Sequence, residues 1–397
     1  MQHEDWVHSA EEALCTYWPE LLRDLEQLVR IESTRGTPAP GAPFVQVPAD
    51  ALAYILGRAR DMGLEVRNRD GYVGTADWGT REPGLDILTH LDVVPAGDGW
   101  KITQPFEPRQ VEGRLYGRGT ADNKGPAIAV LYALLAVKQS GAIPRHRTRL
   151  IWGCAEETGC EDIRAYYASV PPALMTVTPD AAFPVINSEK GRLECHFRKK
   201  AASNGLVRFL SGGGAANAVP DRAQAVLAID PAQARAALAA APEGQCHLEI
   251  APDGLCRLEA HGTATHAASP AKGCNALSVL LKVIAACPGA PAWAGTLAQT
   301  FPPQGAIRQV GPEETITASL SAMKLENGTL SGICEKRYPP TVSAESERDQ
   351  LVHDLEKIGF TVEVTSFNQA HCVPADSAFV RTLLECYRDA GGTDGGC

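Results

Sequence analysis

Three features of common protein classes are missing from this chain. It has no apolar run long enough to cross a bilayer, no apolar segment at its acidic N-terminus, and no C-x-x-C pair among its twelve cysteines. The first absence argues against a helical membrane protein and the second against a secretory signal, so we expect a cytoplasmic protein. Cysteines stay reduced in that compartment, and we expect these to be small core residues rather than disulfides.

The chain also has no excess of positive charge. Its formal net charge is -10, which disfavours binding to nucleic acid or to an anionic membrane. The hydrophobic share is 44% and the charged share 21%, as in globular proteins, and 397 residues favour two domains. We therefore expect a folded protein that does not bind a polyanionic partner.

The first half of the chain alternates predicted helices and strands. Apolar residues recur at helical spacing in some segments and form short runs in others; the predicted helices are 4–32, 48–62 and 123–141, and the predicted strands are 64–69, 84–92 and 147–157. This alternation predicts an α/β fold with a largely parallel mixed sheet flanked by helices.

The pattern changes near residue 188, where short strands joined by turns begin. Helices are predicted near 231–241, 275–286 and 343–358, and the whole block is predicted to be an inserted α+β domain. After it, a loop and an amphipathic helix resemble the first block again. The expected domains are a catalytic part at 1–187, a lid at 188–370 and a return to the catalytic domain at 371–397.

A histidine and an aspartate end one predicted strand. His90 and Asp92, in "THLDVVPAGDGW", are two positions apart and so point to the same side of an extended chain. Functional groups gather at the carboxyl ends of parallel strands, where an imidazole can bind a metal while a carboxylate orients it. The alternative is a polar strand end without a function.

Carboxylates follow at three further loops. Asp122 lies in the glycine-rich "GRGTADNKGP", Glu156 and Glu157 end an apolar strand in "WGCAEETG", and Asp180 lies in "TPDA". Each has an ordinary alternative: a helix cap, a solvated pair or a loop cap. Together with one histidine they form a mixed nitrogen and oxygen set that suits zinc, with cobalt or manganese as lesser candidates. Two such ions would promote hydrolysis of an amide.

These four motifs, in this order, resemble the aminoacylase-type dizinc metallopeptidases and, among them, the PepV-like dipeptidases. The resemblance covers residues 10–391. It implies two zinc ions, the first bound by His90 and Glu157, the second by Asp180, with Asp122 as the bridge. It also implies Asp92 as the partner of His90, Glu156 as the general base, and a cis peptide after Asp122.

The lid also carries segments that resemble the family. "HGTATHAASPAKGCNAL" implies that His266 stabilises the oxyanion, "GGGAANAVPD" that Asn217 supports the substrate, and "EKRYPP" that Arg337 binds the substrate carboxylate. Without the resemblance, Arg337 would be an ordinary surface charge and His266 an unremarkable surface residue. Such lids imply a monomer.

The sequence departs from the family at its end. Family members continue past "AGGTDGGC" and there supply a second histidine to a zinc, so the chain resembles a C-terminally truncated member. His371 matches no ligand position. The predicted function is hydrolysis of dipeptide amide bonds by a water bridged between two zinc ions. Two alternatives stay open: an N-acyl-amino-acid deacylase, and an inactive zinc-binding protein that lacks the second histidine.

Overall fold

A computed structural model describes residues 3–37, 40, 42–44, 46–201, 205–312 and 314–393. Its contacts divide the chain into two compact units, Met1–Phe183 and Pro184–Cys397. Within the described ranges, none of the helices combines the length and the apolar character that a membrane span requires.

The first unit is an α/β unit. Its helices are α1 (His3–Arg30), α2 (Gln46–Asp61), α3 (Lys124–Gln139) and α4 (Glu161–Ser169), and its strands are β1 (Glu65–Arg69), β2 (Val73–Trp78), β3 (Pro83–His90), β4 (Arg109–Val111), β5 (Arg114–Tyr116), β6 (Arg147–Gly153) and β7 (Met175–Val177).

The main sheet of this unit has the order β1-β2-β6-β3-β7. The β6–β3 and β3–β7 pairs are parallel, whereas β1–β2 and β2–β6 are antiparallel. Leu150 and Trp152 of β6 pack in the core that includes α1, α2 and α3, while Ile151 packs on the opposite face with Tyr166 of α4. Helices therefore cover both faces, as expected, and the sheet is mixed, with its parallel half formed by β6, β3 and β7.

Two predicted strands end earlier than the sequence indicates. The strand predicted at 84–92 ends at His90, and the one predicted at 147–157 ends at Gly153. In the second case the backbone N–H groups of residues 154–157 donate to the carboxylates of Asp162 and Asp92 rather than to a neighbouring strand. The extension of that strand to residue 157 was wrong for this reason.

The second unit is an α+β unit. Its helices are α5 (Pro231–Ala237), α6 (Ala276–Ala286), α7 (Ala292–Thr300), α8 (Ala344–Lys357) and α9 (Ala378–Asp389), and its strands are β8 (Ser188–Glu189), β9 (Gly191–Lys200), β10 (Val207–Gly213), β11 (Ala218–Val219), β12 (Arg222–Leu227), β13 (Cys246–Ile250), β14 (Cys256–His261), β15 (Thr265–His266), β16 (Ala306–Gln309), β17 (Thr315–Glu326), β18 (Thr329–Tyr338), β19 (Thr361–Asn368) and β20 (His371–Cys372).

A large antiparallel sheet organises this unit, in the order β13-β14-β12-β10-β17-β18-β9-β19, with β16 paired to β17. One face packs against the helices: Leu193 and Phe197 of β9, Leu320 of β17 and Cys334 of β18 share one core with Leu277 of α6. The other face carries Arg337, Glu335 and Arg192.

The division after Phe183 lies close to the boundary expected at 187, but it groups all later residues together. The return of 371–397 to the catalytic domain therefore stays a prediction, and residues 394–397 lie outside the described part. The described cysteines are all free, and six of them are buried, as expected for small core residues: Cys154, Cys195, Cys256, Cys274, Cys287 and Cys334.

Candidate active site

The candidate site lies where three neighbouring parallel strands of the first unit end. His90 is the last residue of β3, Glu156 follows β6, and Asp180 follows β7. Because β3 pairs with both β6 and β7, the three loops leave the sheet side by side. The polar side chains therefore meet at one edge of the sheet, as the sequence predicts.

His90 is the buried centre of this group. Its Nδ1 lies 2.9 Å from the backbone carbonyl of Asp92 and 3.4 Å from Asp92 Oδ1. Its Nε2 lies 3.0 Å from Asp122 Oδ1 and 3.4 Å from Asp180 Oδ2. One ring nitrogen is therefore held by Asp92, and the other faces two carboxylates, as a ligating imidazole and its orienting partner require.

Asp122 does not cap the helix that follows it. Helix α3 begins after Asn123, whose side chain makes no capping bond, so the capping alternative for Asp122 is wrong. The Asp122–Asn123 peptide is cis, as the resemblance implies. Asn123 donates from Nδ2 to Asp180 Oδ1 at 2.5 Å, a contact that the sequence analysis did not anticipate.

One imidazole and two carboxylates could hold a cation here. Ligand atoms of His90, Asp122 and Asp180 all lie within 4.8 Å of one another. In the part of the chain that the structure describes, no other group of three or more histidine, cysteine, aspartate or glutamate residues has its ligand atoms this close together. Glu157, expected as a further ligand, is not among these atoms, and its role as a metal ligand stays a prediction.

The turn that carries Glu156 and Glu157 is held by buried carboxylates. Asp92 accepts the backbone N–H of Glu156 through Oδ1 and that of Glu157 through Oδ2, both at 3.1 Å. Asp162, which is completely buried, accepts the N–H groups of Cys154 at 2.5 Å and Ala155 at 2.9 Å. The sequence did not predict this role of Asp162. No local pattern showed that an aspartate six residues after Glu156 would accept hydrogen bonds from the backbone that follows β6.

The crowding of carboxylates shifts several pKa values. Burial lowers the pKa of His90, but hydrogen bonds with Asp180 and Asp92 outweigh it and raise the pKa to about 11. Burial and the charge of Asp122 raise the pKa of Glu157 to about 7. Burial also raises the pKa of Glu156, an effect that His90 opposes. Such a site favours a bound positive charge.

In the second unit, His266 lies on the short strand β15, and Asn217 directly precedes β11, the short strand that pairs with it. Ala218 of β11 pairs with His266 of β15, and the N–H of Ala267 donates to the carbonyl of Asn217 at 2.8 Å. The Nδ1 of His266 accepts the N–H of Ala268 at 3.1 Å. Both Asn217 and His266 are exposed, so their polar groups remain open to a ligand.

Arg337 lies on β18 of the same unit. Its Nε donates to Glu335 Oε1 at 2.9 Å, and its side chain is 17% exposed. A buried carboxylate therefore holds Arg337, and its role in binding the substrate carboxylate stays a prediction. Glu335 and Arg192 were not anticipated; the signal for them was the alternation of polar and apolar residues along "GRLECHFRKK" and "TLSGICEKRY".

Comparison with known proteins places this site in a family. Residues 87–395 match the model of peptidase family M20/M25/M40. The chain belongs to this family. The matched segment contains His90, Asp122, Glu156, Glu157 and Asp180, and the family is one of peptidases.

Two curated relatives are dipeptidases by name. The chain is 35% identical over 215 residues to the putative dipeptidase YtjP of Bacillus subtilis, a match that covers 52% of this chain and 46% of that protein. It is 29% identical over 399 residues to the Beta-Ala-Xaa dipeptidase of Lactobacillus delbrueckii subsp. lactis, covering 94% of this chain and 83% of that protein. The chain thus spans less than half the length of the first relative.

A solved structure shares the fold. The crystal structure of human carnosine dipeptidase 1 matches with a TM-score of 0.58 and 16% identity, covering 98% of this chain and 85% of that one. At this identity the likeness concerns the fold alone. It agrees with the expected architecture of a catalytic α/β part and an α+β lid.

Proposed function

We propose that this chain is a zinc-dependent dipeptidase that holds two metal ions at the ends of β3, β6 and β7. The observation that carries the proposal is the convergence of His90, Asp122 and Asp180, whose ligand atoms lie within 4.8 Å of one another. The family membership and the dipeptidase names of two relatives support the substrate class.

The residues present fit divalent zinc. The donors are one imidazole nitrogen and carboxylate oxygens, the set that zinc takes in hydrolytic sites. In the absence of a cation, the proton on His90 is the positive charge among these carboxylates, with a pKa of about 11. His90 and Glu157 would hold one ion, Asp180 the other, and Asp122 both. The two ions would polarise the scissile carbonyl and lower the pKa of a water between them.

The chain's own residues would then move the proton. Glu156 lies 4.0 Å from His90 Nε2, and burial raises its pKa, which brings it closer to the pH at which a general base works best. Glu156 would accept a proton from the attacking water and pass it to the leaving amine nitrogen. Asp92 would keep both His90 and Glu156 in position through the contacts described above.

Residues of the lid would recognise the substrate. His266, with its Nδ1 already occupied by a backbone N–H, would present its other nitrogen to the oxyanion. Asn217 would support the substrate, and Arg337 would bind its terminal carboxylate with a planar pair of donors. Recognition of a carboxylate by the lid would restrict the substrate to a short peptide. We further propose a monomer in the cytoplasm.

One set of assays tests the function. The chain, loaded with zinc, is incubated with a free dipeptide, the same dipeptide acetylated at its amine, and the same dipeptide amidated at its carboxyl end. The proposal requires cleavage of the free dipeptide and bound zinc by metal analysis. Faster cleavage of the acetylated form would favour a deacylase, and bound zinc without cleavage of any form would favour a zinc-binding protein.

A further inference from the structure

The second unit places two arginines directly opposite each other. Arg337 of β18 pairs in register with Arg192 of β9. Like charges opposite each other on neighbouring strands destabilise a sheet, so this arrangement needs compensation. Glu335 provides it: Oε1 accepts Arg337 Nε at 2.9 Å and Oε2 accepts Arg192 Nε at 2.7 Å.

Glu335 is fixed more firmly than an ordinary ion-pair partner. Its side chain has no exposed surface, and both carboxylate oxygens are occupied by guanidinium groups. A buried carboxylate is tolerated only with such partners, so its position is fixed by Arg192 and Arg337 together. Arg192 is held in turn by Glu194, which accepts its Nη2 at 2.6 Å.

The bond to Glu335 leaves one edge of Arg337 open. Only Nε donates a hydrogen bond. Among the described residues, neither Nη group has a hydrogen-bond partner, and neither is one of the buried polar atoms that lack a partner. These two groups form the planar edge that binds a carboxylate through two parallel hydrogen bonds.

We propose that Glu335 is a positioning residue that presents the open edge of Arg337 to the carboxylate of the substrate, and that Arg192 holds Glu335 in place. This inference rests on the proposed function in one respect, the assignment of Arg337 to the substrate carboxylate. The rival explanation is an ion-pair network that stabilises the sheet and has no effect on ligand choice.

The two explanations differ in what they predict for two ligands. Glu335→Gln keeps the shape of the side chain but turns an NH2 group toward one of the guanidinium groups. If Glu335 positions Arg337, the affinity for a free dipeptide should fall about tenfold, as expected when a hydrogen bond to a charged group is lost. The affinity for the amidated dipeptide should not change. A purely structural role would weaken both equally.

Binding is measured by calorimetry on the full chain loaded with zinc, with Glu156→Gln present throughout so that the ligand is not cleaved. Glu347→Gln is the matched control. This change also removes a buried ion pair, the one between Glu347 of α8 and Lys336 at 2.5 Å, but Glu347 does not contact Arg337. In Glu347→Gln, the ratio of the affinity for the free dipeptide to the affinity for the amidated dipeptide should equal the ratio in the parent. Should Glu335→Gln fail to fold, Arg192→Gln replaces it, with the same direction expected.

Three results would overturn the proposal: equal loss for both ligands, an unchanged preference for the free acid, or a parent that binds the two ligands equally or not at all. Hydrolysis by the chain without Glu156→Gln is assayed separately. One further outcome separates the two proposals. If the chain prefers the free acid, loses that preference with Glu335→Gln and cleaves no dipeptide, the proposed function is contradicted but the role of Glu335 is not.

Discussion

Asp92 accepts the backbone N–H of Glu156 at 3.1 Å through Oδ1, while its own backbone carbonyl lies 2.9 Å from His90 Nδ1. One buried residue thus fixes a candidate metal ligand and the candidate base. Its other oxygen accepts the N–H of Glu157 at 3.1 Å. The geometry of the site therefore depends on both oxygens of a single carboxylate.

Asp92→Asn should lower kcat or metal affinity by roughly 10- to 100-fold, the usual loss when a residue behind a metal ligand is changed. The amide keeps one acceptor but turns an NH2 group toward the other backbone donor. Steady-state kinetics and bound metal per chain measure the effect. Asp98→Asn, the same change at an exposed position of the same loop, is the control. Equal behaviour of the two variants would contradict the assignment.

Glu156→Gln and Glu157→Gln should separate two roles that adjacent residues play. Glu156→Gln should reduce kcat by about 10²- to 10⁴-fold while leaving the zinc content close to that of the parent, because the residue handles a proton. Glu157→Gln should lose zinc, because the residue binds it. Metal analysis after dialysis and kcat at saturating zinc decide the matter. Equal zinc loss in both variants would remove the division of roles.

The sequence predicted the loops that carry the candidate site, because each of these segments is a local motif that ends an apolar run or, for Asp122, precedes an apolar helix. Local motifs alone, without the order of the strands, predict four residues of the site: His90, Asp122, Glu156 and Asp180. What local sequence could not supply was the pairing of β3 with both β6 and β7, which brings His90 within 3.4 Å of Asp180, a residue 90 positions later.

Two elements were missed, one that depends on distant packing and one that a local turn signals. Strand β2, "VGTADW", has small residues and a glycine where a strand usually has branched side chains, and it was not predicted. A Cβ at Gly74 would lie 2.5 Å from Leu52 Cδ1, so glycine there lets α2 pack closely on the sheet. The β17–β18 hairpin was missed although Asn327 and Gly328, with φ of 49° and 69°, form the two-residue turn that an Asn-Gly pair signals.

Asp24→Asn should destabilise the first unit by about 3 kcal/mol, because a buried carboxylate would lose its charge among three donors. Asp24 accepts hydrogen bonds from Tyr54 at 2.9 Å and from Arg58 and Tyr132 at 2.7 Å each. Urea unfolding measures the change. Since none of these partners belongs to the candidate site, kcat of the folded fraction should be unchanged. A stability equal to that of the parent would contradict this account.

Metal binding should release protons, and its affinity should therefore rise with pH. In the metal-free chain, hydrogen bonds with Asp180 and Asp92 raise the pKa of His90 to about 11, so Nε2 carries a proton at neutral pH. A cation can bind that nitrogen only after the proton leaves, and lower pH thus favours the metal-free form. Log affinity should increase by about one unit per pH unit above about pH 7.

Below about pH 7 the slope should become steeper, since burial and Asp122 raise the pKa of Glu157 to about 7 and this carboxyl must then lose a proton as well. Calorimetric titration with zinc in buffers of different ionisation enthalpy counts the protons released. In Glu157→Gln the steeper part should disappear while the dependence caused by His90 remains. An affinity that does not change with pH would show that His90 is neutral before the metal binds, or that it is not a ligand.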